Sequence, residues 1–248
     1  MRNYESHKKN CESVIITGKI ENQMAHYNIK WIKNHILIDD EQGLLIDTGS
    51  PISFHSSGVI QLCGQNIDVP TSIMGLSIKY LHEKISPDIH GLIGTDIISK
   101  HATLFNLQRG EHFLLMDDDA DYDIKIPTFS LMGLFGLFMY VGHKKVKMIF
   151  DTGAPISYIK SDIVKAETAI RQEIDFSPVF GDFKADIFIL ATCIKNVFPA
   201  VEIEFGCAKE VDNALCQLGV DGIIGTELLK HYRIQIKNGE IFLPPQGI

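Results

Sequence analysis

The 248-residue sequence has no apolar run long enough to cross a bilayer, which takes about 20 residues. Its longest candidate, Phe129 to Val141, is interrupted by Ser130, Gly133 and Gly136. The first ten residues are polar around Arg2, Lys8 and Lys9, with no apolar segment behind them, so no signal peptide is read and a cytoplasmic location is expected, with no membrane partner. Cysteine is scarce. Cys11, Cys63, Cys193, Cys207 and Cys216 are too few for a disulfide scaffold, their number is odd and no Cys-x-x-Cys occurs, so reduced thiols are expected. Basic residues are outnumbered, 23 Lys and Arg against 31 Asp and Glu, and the net charge of −8 argues against a nucleic-acid partner, which needs a basic face. Gly-x-Ser-x-Gly is absent, which removes one serine-hydrolase signature. His82-Glu83 begins a zinc-peptidase motif, but Ser86 stands where the second histidine belongs. No other histidine pair has ligand spacing, so no metal and no cofactor is expected. Trp31 is the only tryptophan, and core packing and support of a loop over a cleft are both open for it.

What the sequence does contain is a repeat. Residues 44–53 read Leu-Leu-Ile-Asp-Thr-Gly-Ser-Pro-Ile-Ser, and residues 148–157 read Met-Ile-Phe-Asp-Thr-Gly-Ala-Pro-Ile-Ser, an offset of 151 − 47 = 104. A second echo follows each. His90-Gly-Leu-Ile-Gly-Thr-Asp-Ile-Ile98 is matched by Asp221-Gly-Ile-Ile-Gly-Thr-Glu-Leu-Leu229, an offset of 222 − 91 = 131. The second copy therefore carries 131 − 104 = 27 more residues between its two motifs. A lone Asp-Thr-Gly is a chance event in a chain of this length. Two copies, with matched flanks and a matched second motif in the same order, are not.

Hydrophobic residues at 45% and charged residues at 22% suit a folded globular chain, and the patterning is β-rich. Residues 13–20, 26–32, 35–38 and 43–47 read as short strands, as do 134–141 and 146–150 across a Gly142–Lys145 turn. One amphipathic helix is predicted over Ser161 to Gln172, with Ile163, Val164, Ala166 and Ile170 as its apolar set. A short helical turn is predicted after each Gly-Thr-(Asp/Glu). Asp117 to Asp123 holds five aspartates in seven residues, lacks the Gly and Glu of a calcium loop, and reads as a solvated linker.

An apolar strand ending in Asp-Thr-Gly delivers a carboxylate to the edge of an apolar core. The glycine permits a sharp turn and keeps its N–H near the carboxylate, and the threonine hydroxyl can lock the loop. If the two copies pack about a pseudo-twofold axis, Asp47 and Asp151 face each other. Two carboxylates at close range share one proton, and such a pair can activate a water between its members. The paired loops, each followed by an apolar-apolar-Gly segment, resemble the aspartic peptidases of the pepsin and retropepsin clan over roughly residues 13–114 and 126–244.

The resemblance implies an all-β fold of two pseudo-twofold-related, barrel-like lobes with a few short helices. The lobes are expected at residues 1–116 and 126–248, joined by an acidic linker at 117–125. It implies catalysis by Asp47 and Asp151, loop support from Thr48, Gly49, Ser50, Thr152, Gly153 and Ala154, and bracing by Gly94 and Gly225. The small copies, the Gly-Thr-(Asp/Glu) helix starts and Ala154 are similar to retropepsins, while both halves in one chain are as in pepsin. The chain thus looks like a bacterial-type fused retropepsin, active as a monomer on peptide or protein substrates. The alternative is an inactive peptide-binding module that keeps the cleft. Hairpin tips near Cys63-Gly64-Gln65-Asn66 and Phe180-Gly181-Asp182 are the candidates for a flap. Ser50 is placed to donate to the Asp47 carboxylate and Ala154 cannot do so for Asp151, an asymmetry expected to raise the acid limb of a pH profile.

Overall fold

The computed structural model describes residues 24–73, 76–107, 113–117, 122, 124–194 and 200–243. The strand expected at 13–20 lies outside them. The first half contains β1 (Ala25–Ile32), β2 (His35–Ile38), β3 (Leu44–Ile46), β4 (Phe54–His55), β5 (Val59–Leu62), β6 (Gln65–Asp68), α1 (Ile78–Lys84), β7 (Gly91–Ile93), α2 (Thr95–Ile98), β8 (Thr103–Asn106) and β9 (Phe113–Met116). The second contains β10 (Ile124–Lys125), β11 (Thr128–Leu131), β12 (Leu134–Val141), β13 (Lys144–Phe150), β14 (Ser157–Ile159), β15 (Arg171–Ser177), β16 (Gly181–Cys193), β17 (Val201–Cys207), α3 (Lys209–Leu218), β18 (Gly222–Ile224), α4 (Glu227–His231), β19 (Ile234–Lys237) and β20 (Glu240–Leu243).

The two copies fold alike. In each, the strand before Asp-Thr-Gly runs parallel to the strand of the second motif, with Leu45 opposite Leu92 and Ile149 opposite Ile223. In each, the next short strand pairs antiparallel on the other side of that strand, Phe54 against Leu92 and Tyr158 against Ile223. These strands are buried on both faces, which is why they read as continuous apolar runs. The ten-stranded sheet contains the order β10-β20-β19-β8-β9-β1, which is symmetric about the β8–β19 pair. The last two strands of the chain thus complete a sheet begun by the first half. The architecture is all-β, two pseudo-twofold-related halves with four short helices among the described residues. Two-residue hairpin loops at Lys33-Asn34, Met132-Gly133 and Asn238-Gly239 take positive φ at both positions, the geometry that matches strand twist.

Two expectations are corrected. Ser161 to Gln172 forms no helix. Ser161 is held by Asp212 at 2.9 and 2.6 Å, Ile170 is exposed, and from Arg171 the chain is drawn into seven β15–β16 pairs. Of the periodic apolar set, Val164 and Ile163 pack on the main core while Ala166 and Ile170 face solvent. The amphipathic helix of the second half is instead α3, which buries Val211 and Leu215 and ends at Gly219 in the left-handed region. α1, capped by Ser77, was also not foreseen. The helical turns expected after Gly94 and Gly225 are present as α2 and α4. Asp117, read as part of a solvated run, is only 8% exposed and pairs with His101 at 2.8 Å. Trp31 packs on the main core with the Lys230 ammonium 5.8 Å from its ring centroid. The four described cysteines are free thiols.

At the centre of the shared sheet, Phe105 is fully buried and meets Phe150 edge-on at 6.3 Å. Phe105→Ala should lower unfolding free energy by about 3–5 kcal/mol, read from the urea midpoint at unchanged slope.

Candidate active site

Asp47 and Asp151 each leave the end of a buried strand, and their N–H groups continue the parallel ladder to Ile93 O at 2.9 Å and Ile224 O at 3.0 Å. Each loop then turns back on its own carboxylate. Gly49 N–H donates to Asp47 Oδ1 at 2.8 Å, and Gly153 N–H to Asp151 Oδ1 at 2.8 Å. The glycines also define the distance across the axis. A Cβ on Gly49 would lie 2.2 Å from Asp151 Cγ, and one on Gly153 would lie 2.4 Å from Asp47 Oδ1. Each loop therefore passes directly under the opposite carboxyl, and no side chain fits there.

The loops are clasped to each other by their threonines, both fully buried. Thr48 Oγ1 donates to Phe150 O at 2.8 Å and accepts from Thr152 N–H at 2.9 Å. Thr152 Oγ1 donates to Ile46 O at 2.9 Å and accepts from Thr48 N–H at 3.0 Å. Gly94 and Gly225 run against the same loops, where a Cβ would lie 2.6 Å from Ser50 O and 2.4 Å from Ala154 O. Their N–H groups are taken by Ser53 Oγ at 2.8 Å and Ser157 Oγ at 3.0 Å. These two buried serines were missed in the sequence reading, although both close the repeated ten-residue segment at the same place. Ser50 departs from expectation: its hydroxyl donates to Ile52 O at 2.9 Å within its own loop. The carboxylate is served by the Gly49 and Ser50 N–H groups instead.

Burial pushes the Asp47 carboxyl well above the ordinary carboxylate range, and the charge of Asp151 adds to it. Asp151 is also raised by burial, against N–H donors from Gly153, Ala154 and Gly49 and the hydrogen bond from Asp47. The two carboxyls remain half-exposed to a cleft of about 360 Å³. Its walls are apolar, with Leu45, Ile73, Leu76, Leu81, Phe183 and Leu215 among them.

One of the two flap candidates covers this cleft. The β15–β16 hairpin contributes Phe176 through Phe180 to the lining. Its strand is held by α1 of the first half: Tyr80 Oη donates to Ser177 O at 3.2 Å, Tyr80 meets Phe176 edge-on at 5.8 Å, and Lys84 pairs with Asp182. At its foot Tyr158 donates to Asp175, whose carboxyl is raised by burial. The β5–β6 tip lines no part of the cleft. It is tied to β1 by Cys63 N–H donating to Tyr27 Oη at 2.7 Å.

His35 is a third residue of the site that the sequence alone does not single out. It is 2% exposed, lines the cleft, faces Phe176 at 6.4 Å and hydrogen-bonds the Gly153 backbone. Burial, helped by Lys33, lowers its pKa from 6.5 to about 4.

No protein-family model and no curated protein matches the chain. Among solved structures it is similar to the solution structure of simian foamy virus (mac) protease, at 17% identity over 37% of this chain and 88% of that one, with a TM-score of 0.28. It is also similar to the crystal structure of an aspartic proteinase from Irpex lacteus, at 12% identity over 90% of this chain and 98% of that one, with a TM-score of 0.49.

Because the unfolded chain binds a proton at His35 near pH 6.5 and the folded one near 4, the stability that its neutral form supports is complete above pH 6.5. It is lost as pH falls through 4, by on the order of 3 kcal/mol in all. Unfolding free energy measured between pH 7 and about pH 3.5 should fall less steeply for His35→Gln than for wild type. Parallel slopes in the two proteins would refute the assignment.

Proposed function

We propose that this protein is an aspartic endopeptidase of the fused, two-repeat retropepsin type, with Asp47 and Asp151 as its catalytic pair. The observation that carries the proposal is the close approach of each loop glycine to the opposite carboxyl, which sets the two acids face to face at the floor of an apolar cleft. Two like charges there cannot both form cheaply, so the pair holds one proton. A water between them loses a proton to the ionised member and attacks the peptide carbonyl carbon. The protonated member gives its proton to the carbonyl oxygen. The tetrahedral species then collapses as the nitrogen takes a proton and the C–N bond breaks.

The walls suit an extended peptide with large apolar side chains beside the cut, under the single β15–β16 flap. Both acids belong to one chain, so the monomer is complete, with lobes at residues 1–116 and 126–248 about a linker at 117–125. An apolar peptide library is the direct test. Asp47→Asn and Asp151→Asn should each retain less than about a tenth of the wild-type kcat/KM, because their proton roles differ. Specific activity of wild type should not change on dilution. Binding of the library without cleavage would favour a peptide-binding module instead.

The pH profile follows from burial rather than from the hydroxyl asymmetry. Both carboxyls are raised, so the singly protonated pair persists above the usual carboxylate range and the optimum should lie above that range. Since Ser50 Oγ bonds Ile52 O, a hydroxyl at the matching position should not reach Asp151 either. Ala154→Ser should therefore leave the acid limb of kcat/KM unmoved. An optimum near about pH 3 or below would contradict the burial argument.

A further inference from the structure

Outside the cleft, three side chains from three separate elements converge on one point. Cys63 lies in the β5–β6 turn, His101 just beyond α2, and Asp117 at the end of β9. Their sulfur, nitrogen and oxygen atoms all lie within 4.8 Å of one another, with His101 Nδ1 at 2.8 Å from Asp117 Oδ1 and 3.9 Å from Cys63 Sγ. None of the three lines the cleft. We propose that Cys63, His101 and Asp117 bind one divalent cation of the zinc class.

The geometry separates this reading from a nucleophile relay. In a relay the imidazole uses one nitrogen toward the thiol and the other toward the carboxylate. Here the same Nδ1 faces both partners, so the three donor atoms meet on one side of the imidazole. A tetrahedral zinc sets its ligand atoms about 3.3–3.6 Å apart, given metal–ligand lengths of about 2.0–2.3 Å. The carboxylate oxygen and the imidazole nitrogen need to part by roughly half an ångström, and the sulfur to close on the imidazole nitrogen by less. A thiolate, a neutral imidazole and a carboxylate carry two negative charges, which one divalent ion neutralises in a largely buried place. The mixed soft and borderline donors favour zinc over magnesium or calcium, which take all-oxygen sets. Three protein ligands leave a fourth position for water or an outside ligand.

The surroundings hold the donors in place. The Tyr27 hydroxyl oxygen accepts the Cys63 N–H at 2.7 Å, and the Asp117 carboxyl is more than nine-tenths buried. The structural benefit is specific. Strands β5 and β6 pair only with each other among the described residues, and the hairpin is held to the body mainly by Ile60 and Leu62 in the core. A metal at Cys63 pins the tip of that hairpin to both ends of the β8–β9 region.

Metal-stripped full-length protein titrated with cobalt chloride tests the site directly, independently of any peptidase assay. One Co²⁺ per chain should bind, with a thiolate-to-cobalt charge-transfer band that Zn²⁺ removes. Cys63→Ser should abolish the band, while Cys193→Ser, Cys207→Ser and Cys216→Ser keep it. His101→Gln, which retains a donor for Asp117, and Asp117→Asn should weaken binding by more than about tenfold. Zinc at a hundredfold excess over Kd should raise the wild-type Tm by about 5 °C and leave Cys63→Ser unmoved. Absence of the band in wild type, its survival in Cys63→Ser, or an equal rise in Tm in that variant would each overturn the proposal.

Discussion

Everything in this fold is arranged around holding two carboxyl groups against each other inside an apolar core. Left alone, such groups would part or draw in water, since burial and like charge both oppose them. The threonine clasp prevents that. Each Thr hydroxyl donates into the opposite loop's incoming strand and accepts that loop's N–H, so neither loop can move without exposing buried backbone groups of the other. The clasp in turn rests on Ser53 and Ser157, which fix the Gly94 and Gly225 strands behind it.

The duplication is symmetric where the acids are held and asymmetric where the cleft is covered. The extra residues of the second copy build a long β15–β16 hairpin over the cleft. The first copy has a short β5–β6 hairpin folded onto the body, and α1 in its place near the cleft. The halves then complement each other: Tyr80 and Lys84 of α1 hold the flap of the second half through Ser177, Phe176 and Asp182.

Much of this was legible in the sequence because repetition is read without knowing the fold. The strands at 26–32, 35–38 and 134–141 and the facing of Asp47 and Asp151 follow from pattern and symmetry. The elements that were misread depend on contacts between distant segments. The apolar spacing from Ile163 to Ile170 is helical, but Ser161 is tied to Asp212 and from Arg171 the chain pairs with β16. The roles of His35 and Asp117 were hidden for the same reason, since a lone histidine or one aspartate in an acidic run has no signal until its partners are known. Ser50 shows the opposite error, a local inference that was too simple: its nearest acceptor is a carbonyl in its own loop, not the carboxylate.

That error also relocates the source of asymmetry within the acid pair. The third loop position does not distinguish the two carboxyls, because the Ser50 hydroxyl is spent on Ile52 O. The backbone does. Asp47 takes N–H donors from its own loop, Gly49 and Ser50. Asp151 takes Gly153 and Ala154 from its own loop and Gly49 from across the axis, and it accepts from Asp47 as well. Each donor favours an ionised acceptor. Burial nonetheless raises both carboxyls, and the pair titrates as a unit. Pseudo-symmetry brings the acids together, and burial with like charge then makes it costly for both to ionise at once.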